Sequence, residues 1–213
     1  DALADVDRLF VDPEGCAALS DAVPETDYRP LIHDTKRAIA DGLLRSEVLR
    51  LARLVPADAI ADRDTAADAL AEVLSCFPVY RSYLPAGTEH LDAAVVAARV
   101  HRPDLADAIS ALRPLLGPAP DEQPGELALR FQQTSGMVMA KGVEDTAFYR
   151  YVRLLALNDV GGDPGRFGIS LARFHEANTT RSRDWPTGSR RATRSSAASC
   201  GRWSGPSTPP AAH

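Results

Sequence analysis

The sequence predicts a mainly helical fold with few strands, and three observations carry this. Apolar residues recur at helical spacing through 34–54, where Leu43, Leu44, Val48, Leu51 and Leu54 are interleaved with Arg45, Glu47, Arg50 and Arg53. Two later stretches, 89–100 and 104–116, are rich in alanine, which loses little entropy in a helix. One short run, Val79-Tyr80-Arg81-Ser82-Tyr83-Leu84 after Pro78, reads as extended.

The elements follow in order. Residues 1–24 are weakly patterned, and Asp12-Pro13-Glu14-Gly15 reads as a turn. The 34–54 helix is expected to take Asp34 as its N-cap and to stop at Pro56. A helix over 64–76 takes Asp64 as cap and buries Ala67, Leu70, Val73 and Leu74. Pro103 before Asp104 suits the start of the 104–116 helix. The run Gly117-Pro118-Ala119-Pro120-Asp121-Glu122-Gln123-Pro124-Gly125 has the composition of a linker. After it, aromatic and polar residues come at irregular spacing. A helix is expected near 126–134, a turn around Gly136, a helix near 144–156, a glycine-rich loop at 161–165 and a last helix near 170–178.

Composition narrows the function. The chain has 213 residues, 45% of them hydrophobic and 25% charged, which fits an ordinary globular protein able to bury a core. A net charge of -5 gives no reason to expect nucleic acid or an anionic membrane as partner. No apolar run approaches the roughly 18 residues of a membrane helix. Cys16, Cys76 and Cys200 are far apart and lack metal-ligand spacing, so a reducing cytoplasm is the plain reading. His90, His101 and His175 are isolated in sequence, with surface positions as the default, and no metal site or cofactor motif is read. Gly161-Gly162-Asp163-Pro164-Gly165 lacks the Gly-Lys-Ser/Thr ending of a phosphate loop.

The chemistry concentrates between Arg130 and Tyr151. Gln132-Gln133-Thr134-Ser135-Gly136 leads into Ala140-Lys141-Gly142-Val143-Glu144-Asp145-Thr146-Ala147-Phe148-Tyr149-Arg150-Tyr151. Sugar recognition uses aromatic faces against the ring and charged or amide groups on the hydroxyls. Lys141 offers three donors, Arg150 a fixed fork of donors, and Phe148, Tyr149 and Tyr151 offer rings. Gly142 would let the backbone turn beside Lys141. Glu144 and Asp145 would be acceptors at a helix start, where negative charge is favoured. Each has a plainer reading: a solvated loop lysine, helix-capping carboxylates, core aromatics, and an arginine paired to Asp145 or Glu144.

This run resembles the maltooligosyl trehalose synthases, a family of the α-amylase superfamily. So does the continuation Leu157-Asn158-Asp159-Val160-Gly161-Gly162-Asp163-Pro164-Gly165-Arg166-Phe167-Gly168, and so do Phe77-Pro78-Val79-Tyr80-Arg81-Ser82-Tyr83-Leu84 and the stretch from Ser46 to Leu54. The resemblance covers about 25–186 and is most specific in the last part. It implies an enzyme that turns the reducing-end α-1,4 link of a maltooligosaccharide into an α,α-1,1 link, with no cofactor. It implies a helical insert over 1–116, a linker at 117–125, and a sugar-site segment over 126–186 that begins a return into a (β/α)8 barrel incomplete in this chain. Lys141, Gly142, Glu144, Asp145, Tyr149 and Arg150 would contact substrate.

Retaining chemistry needs a carboxylate nucleophile and a carboxylic acid about 5 Å apart. In the family both come from a barrel segment that would precede Asp1, so no catalytic residue is assigned here and the chain alone is expected to be inactive. A start at Asp1 fits a missing N-terminal part, or processing. A third family carboxylate lies in a His-Asp-Thr-Lys-Arg run after a Trp-Pro matching Trp185-Pro186, where this chain reads Thr187-Gly188-Ser189-Arg190-Arg191-Ala192-Thr193-Arg194-Ser195. The residues from Ala192 to Ser195 can be written GCG ACA CGA AGC, and a one-base shift gives GAC ACG AAG, Asp-Thr-Lys. The 187–213 tail is therefore expected to be disordered and out of frame. His33-Asp34-Thr35-Lys36-Arg37 spells the same run far too early and is read as a helix start. The competing functional readings are a stand-alone helical interaction module and a hydrolase or debranching relative. The steadier periodicity a simple bundle would show is missing after Glu126, and Ala140-Lys141-Gly142-Val143-Glu144-Asp145-Thr146 is not general among the hydrolases.

Overall fold

The computed structural model describes residues 12–23, 27–117, 123–151, 158–160, 162, 164–165, 172, 175–176 and 179. The described elements are helices α1 (Pro13–Ala22), α2 (Tyr28–Asp41), α3 (Arg45–Leu54), α4 (Arg63–Cys76), α5 (Thr88–His101), a 3-10 turn (Pro103–Leu105), α6 (Ala106–Leu116) and α7 (Glu126–Met139). A π-helical segment (Ala140–Ala147) and one last turn (Phe148–Arg150) continue α7. Among the described residues there is no strand, only an isolated bridge between Tyr83 and Ala86, so 79–84 does not form the extended run expected of it.

The chain divides into two compact units. One is 10–167 and holds all the named elements. The other joins 1–9 to 168–213. Its described residues, Ala172, His175, Glu176 and Thr179, are helical and exposed, with the Thr179 hydroxyl donating to the His175 carbonyl at 2.7 Å. The expected 170–178 helix otherwise falls outside the described residues, as do Trp185-Pro186 and the whole 187–213 tail.

Local chemistry explains where the helices start and stop. The expected single 34–54 helix is two. Asp27 caps α2, its carboxylate accepting from the Arg29 N–H at 3.1 Å, and Pro30 is tolerated because it lies in the first turn. Asp34 is therefore inside a helix and caps nothing. Gly42 ends α2, and the Leu44 N–H reaches back to the Ile39 carbonyl at 2.9 Å before α3 begins. The break turns Leu43 outward, 66% exposed, and Leu44 inward. Asp62, two residues before the expected Asp64, caps α4 by accepting from the Thr65 N–H at 2.8 Å. Gly87, at φ 81°, occupies the left-handed region that favours glycine and lets the chain enter α5.

Two hydrophobic cores result. The first gathers α3 to α7, with Leu51, Leu70, Leu74, Phe77, Ile109, Leu112, Leu116 and Phe131 fully buried. Phe77 and Phe131 meet edge to face at 5.6 Å. Residues on both sides of the 117–125 stretch share this core, since Leu127, Phe131 and Val138 pack with Leu112 and Leu116. The second core is smaller: Tyr28 and Leu31 of α2 pack on Val143, Ala147, Phe148 and Tyr151, with the Tyr28 and Tyr151 rings 5.1 Å apart.

Candidate functional site

Helix α7 runs through Gly136 without the expected turn and passes into the π segment. Long π stretches are rare, and where one turn widens it often serves a site. Here the wider turn is marked by the Thr146 hydroxyl, which donates to the Lys141 carbonyl five residues back at 2.7 Å. Upstream, α7 fixes the 77–84 segment. The Ser135 hydroxyl donates to the Tyr80 carbonyl at 2.8 Å, and the buried Gln132 amide oxygen accepts from the Leu84 N–H at 3.2 Å. Arg81 lies over the Tyr83 ring at 5.0 Å. Downstream, the Asn158 amide donates to the Phe148 and Tyr151 carbonyls, at 2.7 and 2.5 Å, and closes the helical end. The expected 144–156 helix is described only to Arg150 before Tyr151 turns extended.

The π segment sorts the sequence-predicted residues into two sides. Lys141, Asp145 and Tyr149 follow at spacings of four and are all exposed, Tyr149 at 80%. The Lys141 ammonium donates to the Asp145 carboxylate at 2.5 Å, leaving two of its donors for other acceptors. Arg150 is exposed beside Tyr149. Glu144 is half-buried, and its Oε1 is shielded without a hydrogen-bond donor. Glu144 and Asp145 do not open a helix, as expected from sequence, but lie within a continuous one. Phe148 and Tyr151 are core residues, the plainer of their two readings.

Gly142 faces the other way. It makes no turn beside Lys141. A Cβ there would lie 2.8 Å from the Lys36 Cα and 2.7 Å from its Cγ, so glycine is what lets α2 and the π segment touch. The His33-Asp34-Thr35-Lys36-Arg37 run thus packs directly on the Lys141–Asp145 turn, although the two are far apart in sequence.

That run is polar, with Thr35 and Lys36 buried, His33 and Arg37 half-buried and Asp34 exposed. Lys36 is 3% exposed, donates to the Phe77 carbonyl at 2.6 Å, and is pushed by burial down to about 8. His33 Nε2 lies 2.8 Å from Glu72 Oε1. Contact with the Cys76 thiol and then with Glu72 raises His33 to about 10 against the effect of burial. Arg37 donates to the other Glu72 oxygen at 2.9 Å, to Asp41 at 2.7 Å and to Asp68. Burial lifts the Asp68 carboxyl, but Arg102 and Arg37 outweigh it and hold the group below its ordinary value. Beside this network a cleft of about 610 Å³ is lined by Tyr28, Ile32, His33, Lys36, Cys76 and Phe148 among others. Sequence reasoning missed these charges because, Asp41 apart, their partners lie 31 to 41 residues away; the glycine in the middle of the motif was a local sign that another backbone comes close.

The fold and this site define a helical module whose widened turn shows a cation, a carboxylate and a phenol on one side and packs a buried polar helix on the other. Against known proteins, no family model matches the chain. A Mycobacterium tuberculosis protein named as a maltooligosyl trehalose synthase is 36% identical over 191 residues, 87% of this chain and 24% of that protein. The solved maltooligosyltrehalose synthase of Arthrobacter ramosus is 46% identical over 85% of this chain and 24% of its own, with a TM-score of 0.69. A solved glycosyltrehalose synthase, DSM5389, is 26% identical over 83% of this chain, with a TM-score of 0.54. The chain is homologous to one segment of the maltooligosyl trehalose synthases and spans about a quarter of the relatives' length.

Proposed function

We propose that this chain is the corresponding part of an enzyme that converts the reducing-end α-1,4 link of maltooligosaccharides into an α,α-1,1 link, and that its exposed turn holds the sugar. The single observation that carries the reading is 46% identity to the Arthrobacter ramosus synthase across 85% of this chain, on a matching fold. The turn supplies chemistry suited to the task. Two spare Lys141 donors, the Asp145 carboxylate, the Tyr149 ring and the Arg150 guanidinium suit hydroxyl groups and a pyranose face, and the shielded Glu144 oxygen is a ready acceptor. Gly142 belongs to this site through packing: it sets how closely the turn is held to α2.

On this reading, 1–116 is a helical insert and 126–186 starts a return toward an α-amylase-type barrel that supplies the nucleophile and the acid. The described carboxylates with the strongest partners, Glu72 and Asp68, are held by arginines and fit structural ion pairs rather than a pair poised about 5 Å apart across a sugar. The chain incubated with maltopentaose should therefore give no non-reducing product; turnover above a buffer control overturns that. The sugar role is tested by replacing the homologous segment of the Arthrobacter ramosus synthase with 27–151 of this chain. The chimera should form the trehalose end, and Lys141→Ala should lower its kcat/KM about ten- to a hundredfold, the worth of one hydrogen bond to a charged group. An active chimera indifferent to Lys141→Ala removes Lys141 from the site.

A further inference from the structure

We propose that His33, Cys76 and His101, gathered at the cleft beside α2, form a three-ligand site for a divalent transition-metal ion of the zinc type. The proposal is independent of the sugar reading. One ligand atom from each residue lies within 4.8 Å of the others, and the His33 and His101 rings are stacked with centroids 4.3 Å apart. Two imidazoles and a thiolate are the donor set that borderline-soft divalent ions favour. Zinc binds nitrogen at about 2.0–2.1 Å and sulfur at about 2.3 Å, so ligand atoms on a tetrahedral ion sit roughly 3.5 Å apart. The remaining ångström is closed by turning the His101 ring off its stack, and His101 is exposed and free of a core to hold it back.

Three further features favour a cation there. Cys76 and His101 are the last residues of α4 and α5, so two helix C-termini, each partly negative, converge on the place. Glu72, 2% exposed, puts Oε1 at 3.6 Å from the Cys76 sulfur and 2.8 Å from His33 Nε2, so a carboxylate already faces both residues and its negative charge favours a cation beside it. All three ligands also line the 610 Å³ cleft, which leaves the fourth coordination position open to water or a small ligand. On binding, the Cys76 thiol gives up its proton to solvent and the metal takes its place on sulfur, and a proton on the ligating His33 nitrogen is displaced in the same way.

The test titrates the chelator-stripped chain with Zn²⁺ by calorimetry and with Co²⁺ by absorption. One ion per chain is expected, with a sulfur-to-cobalt charge-transfer band. Cys76→Ser should abolish the band, and His101→Ala should weaken Zn²⁺ binding at least tenfold while both keep the parent's far-UV circular dichroism. Cys16→Ser with Cys200→Ser should bind as the parent does. Zinc should also protect Cys76 of the unsubstituted chain from alkylation, a readout that needs no variant to fold. Binding confined to millimolar metal, a band that survives Cys76→Ser, or Cys76 alkylated equally fast with and without zinc overturns the site.

Discussion

The α3–α7 core and the seam between α2 and the π segment are held together by different physics. In the core, alanines and large aliphatics meet at fully buried positions such as Leu70, Leu74, Ile109 and Leu112, and the stabilisation scales with apolar area removed from water. In the seam, a missing side chain at Gly142 lets two backbones come together over a buried ammonium, that of Lys36. The core can absorb a change of shape at moderate cost. The seam has no slack, because the obstacle to a larger residue is partly the Lys36 backbone itself. The turn proposed to carry sugar chemistry thus sits where even one added methyl group meets backbone.

This contrast can be broken or sharpened by measurement. The largest effect is expected in the core: Phe131→Ala empties the edge-to-face contact with Phe77 and should cost about 3–5 kcal/mol in urea unfolding. A loss under about 1 kcal/mol would mean the core re-collapses freely. Next comes the seam. Gly142→Ala should cost about 2–3 kcal/mol by overpacking, with the damage centred on α2 and the π segment in hydrogen exchange. A neutral outcome would show that α2 can move aside.

The smallest of the three is a pH effect on Lys36. Its pKa falls from 10.5 unfolded to about 8 folded, so between those values the unfolded chain holds more protons than the folded one. Stability contributed by this group therefore rises as pH goes from about 8 to 10.5. Relative to Lys36→Met, which has no such proton, the parent should gain roughly 2 kcal/mol across that window. Equal slopes for the two proteins would mean the ammonium is solvated in the folded state.

Much of the helical framework was legible in the chain. The alanine-rich pattern placed α5 and α6 within a residue or two, and Pro78 and Pro103 marked real boundaries. The errors came where a local rule had two candidates. Asp34 was read as the cap, but Asp27 fits the same rule and starts the helix earlier, since Pro30 in a first turn costs little. Gly136 was read as a turn because glycine is a poor helix former, but packing of Phe131 and Val138 on the same core keeps the helix whole. The face formed by Lys141, Asp145 and Tyr149 was legible as residue types and not as a face, since its geometry depends on the π turn.

By itself the sequence determined that this protein is helical, that Lys141, Asp145 and Tyr149 form a distinctive polar and aromatic motif, and which family that motif resembles. These follow from periodicity and from the order of side chains, which are properties of neighbours along the chain. Only the tertiary structure decided that Gly142 rests on Lys36, that Arg37 gathers Asp41, Asp68 and Glu72, and that His33, Cys76 and His101 share one place. Those are encounters between segments tens of residues apart, and a buried charge or a ligand set exists only once packing has chosen its partners.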